Sequence, residues 1–177
     1  MVNKISPGFL LTLAMMLLLM PLRWLSGAII AAAFHEMCHY ITIRLLSHDV
    51  TSVRLYSSGA RMALPEMSRG RELLCALAGP VGGLLLTLLS PVFPRLAICA
   101  LIQSVYNLLP IYPLDGGRAL ACLLAMYLSP PMAAAILRWV TILCKMSLLF
   151  VGCYICFSVQ WGYLPLILSI LICIRTK

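Results

Sequence analysis

Long apolar runs constrain the fold of this chain more than any other sequence feature. The first two runs cover about residues 5–22 and about residues 24–43, and basic residues border them at Lys4, Arg23 and Arg44. A helix that crosses a membrane needs about 20 mainly apolar residues. Hydrophobic residues make up 63% of the chain and charged residues only 10%, which is more apolar surface than a domain in water can bury. We therefore predict an integral membrane protein.

The remaining runs complete a prediction of about six membrane crossings, and the fold class is an all-α polytopic membrane protein. Further helices are expected at about 73–93, from near Leu96, at about 136–158 and at about 161–174. The fourth run continues into YNLLPIYPLDGGRAL, whose prolines and glycines must break the helix. Because six crossings use most of the 177 residues, we predict one membrane-embedded domain over 1–177.

Charge predicts which side of the membrane the connections face. The polar segment 44–72 carries five arginines and only three acidic residues, and segments rich in Arg and Lys remain in the cytoplasm. The first run is long for a signal peptide and lacks a clear cleavage site, so we expect it to remain as a helix. With six crossings, both termini then face the cytoplasm. The net charge of +8 does not indicate a nucleic-acid partner, since no basic run is interleaved with aromatic residues.

A small cytoplasmic β-hairpin is predicted inside this polar segment. The stretches VRLY and ARMAL flank Ser57, Ser58 and Gly59, which is the pattern of two short strands around a turn. Such a hairpin, at about 53–64, could pair with an unwound substrate as an added strand. A plain solvated loop is the alternative interpretation.

Two histidines and a glutamate lie inside the second apolar run, in AAAFHEMCHY. His35 and His39 are four residues apart, so on a helix their imidazoles share one face and can bind one metal ion. Glu36 directly follows the first histidine and can act as a general base toward water. The alternative is that these three polar side chains have no function and are only satisfied by contacts with neighbouring helices. However, an ionisable group at mid-membrane costs roughly 2.5–3.5 kcal/mol and usually has a function. We therefore predict a zinc site.

A catalytic zinc ion needs a third protein ligand, and Asp115 is the best candidate. The three acidic residues of the polar segment lie in or beside the cytoplasmic loop, whereas Asp115 lies in the broken fourth run. Gly116 and Gly117 are expected to let the backbone approach the ion closely. The alternative role for Asp115 is to initiate a helix that begins at Gly116.

The two motifs together resemble the signature of a known family. HEMCH at 35–39, followed by NLLPIYPLDGG at 107–117, resembles the HExxH and NxxPxxxLDG motifs of the site-2 protease family of intramembrane zinc metalloproteases. AGP at 78–80 resembles the Gly-Pro element of the family's intervening helix. The resemblance covers roughly residues 24–128, which correspond to the family's three-helix catalytic core.

This resemblance implies an enzyme and assigns a role to each candidate residue. His35, His39 and Asp115 would bind one zinc ion, Glu36 would activate the water, and Asn107 would position the substrate carbonyl or its oxyanion. The substrate would be a membrane-spanning protein whose cleavage releases a transcription regulator to the cytoplasm, and a membrane regulatory partner is expected.

The subfamily and an alternative function follow from the same residues. No PDZ-like insertion interrupts the chain. This short form is closest to the sporulation-type branch of the family, whose members would lie in a bacterial cell membrane and cut a membrane-tethered sigma-factor precursor. The alternative is a membrane metal-ion transporter or metal-binding factor, because His, Glu and Asp on broken helices can also form a transit site.

Overall fold

The computed structural model describes residues 2–5, 21–47, 52–56, 59–63 and 67–159, together with 166, 169, 170 and 173. Most of these residues are helical. The chain divides into two compact units, Met1–Asn107 and Leu108–Lys177.

Three helices form the body of the first unit. They are α1 (Leu22–Ser47), α2 (Arg69–Leu86) and α3 (Pro94–Asn107), and each packs against the other two. A small buried core joins them, with one member from each helix: Ala31, Leu86 and Ala100. Small side chains let helix backbones approach closely, which is the usual way that helices associate in membranes.

The first two of these helices have other ends than the predicted runs: α1 is longer at both ends, whereas α2 begins earlier than predicted and ends at Leu86, before a 3-10 turn at Thr87–Leu89 and short of the predicted end at 93. The predicted second run covers 24–43, whereas the helix covers Leu22–Ser47. The predicted third helix begins at residue 73, but α2 begins at Arg69, where Arg69 and Glu72 form an ion pair of 3.2 Å across the first turn. Hydropathy marks only the part of a helix that fits an apolar environment, so polar end turns escape it.

The first unit also contains a three-stranded sheet in the order β1-β2-β3, made of Val2–Ile5, Ser52–Tyr56 and Gly59–Ala63. Strands β2 and β3 pair antiparallel from Ser52 opposite Ala63 to Tyr56 opposite Gly59, in the segment where a hairpin is predicted. Strand β1 pairs parallel with β2 and is not predicted, because four residues beside an apolar run give no strand pattern. Residues 57, 58 and 64 lie outside the described part of the chain.

The second unit contains α4 (Asp115–Tyr127) and α5 (Pro130–Tyr154), which pack together, and a π-helical turn at Ile155–Val159. Residues 108–114, which precede α4, are not helical. Their turn is closed by main-chain hydrogen bonds from the Ile111 N–H to the Leu109 carbonyl and from the Leu114 N–H to the Ile111 carbonyl. The Ile111 side chain is fully buried and anchors this turn.

Three of the described helical stretches are long and apolar enough to cross a membrane: Leu22–Leu46, Arg69–Leu89 and Pro130–Phe157. The first and sixth predicted crossings, 5–22 and 161–174, fall mostly outside the described residues. Helix α3 has 14 residues and so a length of about 21 Å, which is shorter than a hydrocarbon core of about 30 Å. Exposed apolar side chains along α5, such as Trp139, Leu143 and Phe150, suit contact with lipid.

Candidate metal centre

Two buried histidines lie one helical turn apart on α1. His35 is 3% exposed and His39 is 8% exposed. Their Nε2 atoms are 3.1 Å apart, and the two rings meet edge to face with centroids separated by 4.7 Å. The structure therefore brings both imidazoles to one face of the helix, as the spacing predicts, and converges their Nε2 atoms on one point.

A main-chain hydrogen bond fixes the orientation of His39. Its Nδ1 lies 2.7 Å from the carbonyl oxygen of Cys75 in α2. Because a carbonyl only accepts, Nδ1 carries the hydrogen and donates it, and the Nε2 lone pair then faces His35 as a metal donor. Helix α2 thus supplies the acceptor that metal-binding histidines usually have.

Gly79 of α2 packs directly against both imidazoles. A Cβ atom at this position would lie 2.7 Å from Cε1 and Nε2 of His35 and even closer to Nε2 of His39. In the sequence, Gly79 is noted only as part of AGP at 78–80, which resembles a Gly-Pro element, and no contact with the histidines is predicted for it. In the structure, the missing side chain leaves room at the two ligand nitrogens, where a metal ion would sit, so this part of the site fits a metal.

Asp115 is the first residue of α4, with Leu114 as the N-cap residue. Its side chain is 13% exposed, and its Oδ1 lies 4.0 Å from Nη1 of Arg118, one turn further along the helix. The helix therefore begins at Asp115 and not at Gly116.

The two glycines after Asp115 lie against the main chain of the preceding turn. A Cβ on Gly116 would lie 2.7 Å from the carbonyl oxygen of Leu109, and a Cβ on Gly117 would lie 2.6 Å from that of Ile111. The turn at 108–112 therefore lies directly against the first turn of α4. Both glycines permit this contact between backbones, and the approach of their backbone to an ion stays a prediction.

His35, His39 and Asp115 each offer one ligand atom, these atoms lie within 4.8 Å of one another, and the group could hold a metal ion. Two imidazoles and one carboxylate are a donor set that catalytic zinc sites use. Glu36 directly follows His35 on α1 and is half-buried, and Asn107 is the last residue of α3 and is also half-buried.

Sequence reasoning missed two groups around this centre. The Cys75 carbonyl has no sequence signal, because any residue supplies a carbonyl and only helix packing brings this one to His39. Arg118 does have a signal, since it follows Asp115 by three residues and such pairs are neighbours on a helix.

No family model and no curated protein sequence matches this chain. Among solved structures, the site-2 protease from Methanocaldococcus jannaschii is similar, with a TM-score of 0.68 and 16% sequence identity. The match covers 97% of this chain and 88% of that chain. An identity this low supports a statement about fold and not about activity. Over nearly its whole length, the chain therefore has the fold of a site-2 protease.

Proposed function

We propose that this chain is an intramembrane zinc metalloprotease, which hydrolyses a peptide bond in or near the transmembrane segment of a membrane-tethered substrate. The observation that carries the proposal is the His35, His39 and Asp115 group, with Glu36 directly after the first of these ligands. The likeness in fold to a site-2 protease supports the same conclusion.

Each residue of the centre has a distinct task in this reaction. His35, His39 and Asp115 hold one zinc ion per chain, which when bound supplies Lewis acidity and lowers the pKa of water. Glu36 accepts a proton from the attacking water and returns it to the leaving amine. Asn107 donates an amide N–H to the negative charge that develops on the substrate carbonyl oxygen.

Water and substrate reach the centre from the cytoplasmic side. His39 lies five residues before Arg44, which is about 7–8 Å along the helix from its basic end. The substrate helix must unwind before cleavage, because its carbonyls are otherwise held in intrahelical hydrogen bonds. Its exposed main-chain groups then pair with the sheet, where β3 is an edge strand of the described order β1-β2-β3.

The arginine-rich segment and both termini face the cytoplasm of a bacterial cell, in a chain with about six crossings. The pairing of β1 with β2 supports one part of this arrangement, a shared side for the N-terminal strand and the arginine-rich segment, because strands that share hydrogen bonds lie on the same side of a membrane. The released product is a transcription regulator, as in the sporulation-type branch.

Cysteine labelling tests this topology. In a cysteine-free background, Ser58→Cys should react with a membrane-impermeant thiol reagent only after the inner face of the membrane is opened, because the polar segment is cytoplasmic. Position 58 lies outside the described residues, and the prediction rests on the charge of the segment. Labelling of this cysteine in intact cells would contradict the cytoplasmic side of entry.

Asp115→Asn and Asn107→Ala should separate the ligand from the substrate-positioning residue. Asp115→Asn should lower zinc content and cleavage together, because an amide oxygen is a far poorer zinc donor than a carboxylate. Asn107→Ala should keep its zinc and cleave on the order of 100-fold to 1000-fold more slowly, the usual cost of losing one such donor. Elemental analysis beside cleavage rates measures both. Full zinc content in Asp115→Asn would show that Asp115 is not a zinc ligand. Loss of metal in Asn107→Ala would show that Asn107 is one.

The proposed function is tested by co-expression of the chain with candidate single-pass membrane regulators. A shorter regulator band that appears with the unchanged chain and disappears with Glu36→Gln supports proteolysis. A metal transporter would tolerate this substitution better, because transit needs ligands and no proton acceptor. Metal uptake that survives in the Glu36→Gln variant, without any cleavage product from the unchanged chain, would favour transport.

A further inference from the structure

In the first turn of α4, Arg118 is the first residue after Asp115 whose side chain carries a functional group. Gly116 and Gly117 lie against the backbone of the 108–112 turn and carry no side chain. Arg118 is the next residue with a functional group. It lies three residues after Asp115 and therefore on the same side of the helix.

Arg118 and Asp115 form a charge pair at this position. The guanidinium Nη1 is 4.0 Å from the carboxylate Oδ1, and the Asp115 side chain is 13% exposed while the Arg118 side chain is 34% exposed. The carboxylate is therefore the more enclosed member of the pair. Charges in such partly enclosed surroundings are screened less than charges at an open surface.

We infer that Arg118 is a positioning residue for Asp115, an inference that rests on the proposed metal site. The guanidinium attracts one carboxylate oxygen and limits rotation of the side chain, so that the other oxygen faces the ion. A ligand held through one oxygen also leaves a coordination position open, which catalytic zinc sites need. Groups that orient a metal ligand in this way typically change metal affinity by about 10-fold to 100-fold when they are removed.

The sign of the effect distinguishes orientation from simple electrostatics. A positive charge beside a metal site repels the ion, so loss of Arg118 would tighten zinc binding if repulsion were its only effect. Orientation of the Asp115 carboxylate predicts the opposite, a loss of affinity. A surface ion pair without any link to the centre would leave zinc affinity unchanged.

The test measures zinc affinity of the full purified chain in detergent by competition with a chromogenic chelator. Arg118→Gln should bind zinc about 10-fold to 100-fold more weakly, and Arg118→Lys, which keeps the charge, should recover most of this loss. Arg138→Gln, at an exposed arginine of α5, is the matched control and should bind zinc normally. Thermal unfolding without zinc checks that each variant is folded.

A double-variant cycle shows whether Arg118 acts through Asp115. In an Asp115→Asn background, Arg118→Gln should cause no further loss, because the group it orients is gone. The inference is overturned by unchanged or tighter zinc binding in Arg118→Gln, by no recovery in Arg118→Lys, or by an equal loss in the Asp115→Asn background. Full zinc affinity in Asp115→Asn itself would instead contradict the proposed metal site, and the inference would fall with it.

Discussion

Glu36→Gln should keep its zinc and lose proteolysis. Glutamine has nearly the same shape as glutamate, and the ligands His35, His39 and Asp115 remain, so the metal site is preserved. The amide cannot accept the proton of the attacking water, and removal of a general base typically costs about 100-fold to 10000-fold in rate. The measurement is cleavage rate beside zinc content by elemental analysis, for the purified variant and the unchanged chain.

A matched substitution separates loss of the base from loss of charge in general. Glu72→Gln removes an acidic group from the first turn of α2, where it pairs with the exposed Arg69 at 3.2 Å. Exposed ion pairs contribute little, so this variant should cleave at nearly the normal rate. Near-normal proteolysis by Glu36→Gln would contradict the mechanism, and loss of zinc in that variant would place Glu36 among the ligands.

Gly79→Ala should lose both zinc and proteolysis, although it adds only one methyl group. The new Cβ would lie 2.7 Å from Nε2 and Cε1 of His35 and closer still to His39, so the imidazoles or the two helices must move apart. Overpacking of this kind costs about 1–3 kcal/mol of stability. Displacement of two ligands at once should weaken zinc binding by on the order of 100-fold or more. Chelator competition and cleavage rate measure the two effects.

Gly27→Ala is the matched control for this substitution. Gly27 is also a buried helical glycine, but a Cβ there would lie 3.5 Å from its nearest neighbours, which is ordinary van der Waals contact. Alanine favours a helix over glycine by about 1 kcal/mol, so the control should bind zinc and unfold at the same temperature or a slightly higher one. Normal zinc binding by Gly79→Ala would show that α1 and α2 can separate without harm to the site.

The sequence by itself determined the membrane class and the histidine pair. Both depend on residues that are close together in the chain: an apolar run of sufficient length, and two histidines whose four-residue spacing places them on one helical face. The structure confirms helices that can cross a membrane and a face shared by His35 and His39. For the same reason proline and glycine before Asp115 predict a non-helical stretch, since they act on their own backbone, and residues 108–114 are not helical.

Only the tertiary structure decided what surrounds these residues. The carbonyl that orients His39 comes from a residue 36 positions away, and Gly79 meets the imidazoles only because α2 packs closely on α1. The strand at the N-terminus likewise gains its partner from residues 52–56. The periodicity of a sequence indicates which face of a helix is apolar and which is polar. It does not indicate which carbonyl, glycine or strand that face will contact, because such contacts depend on how separate segments pack.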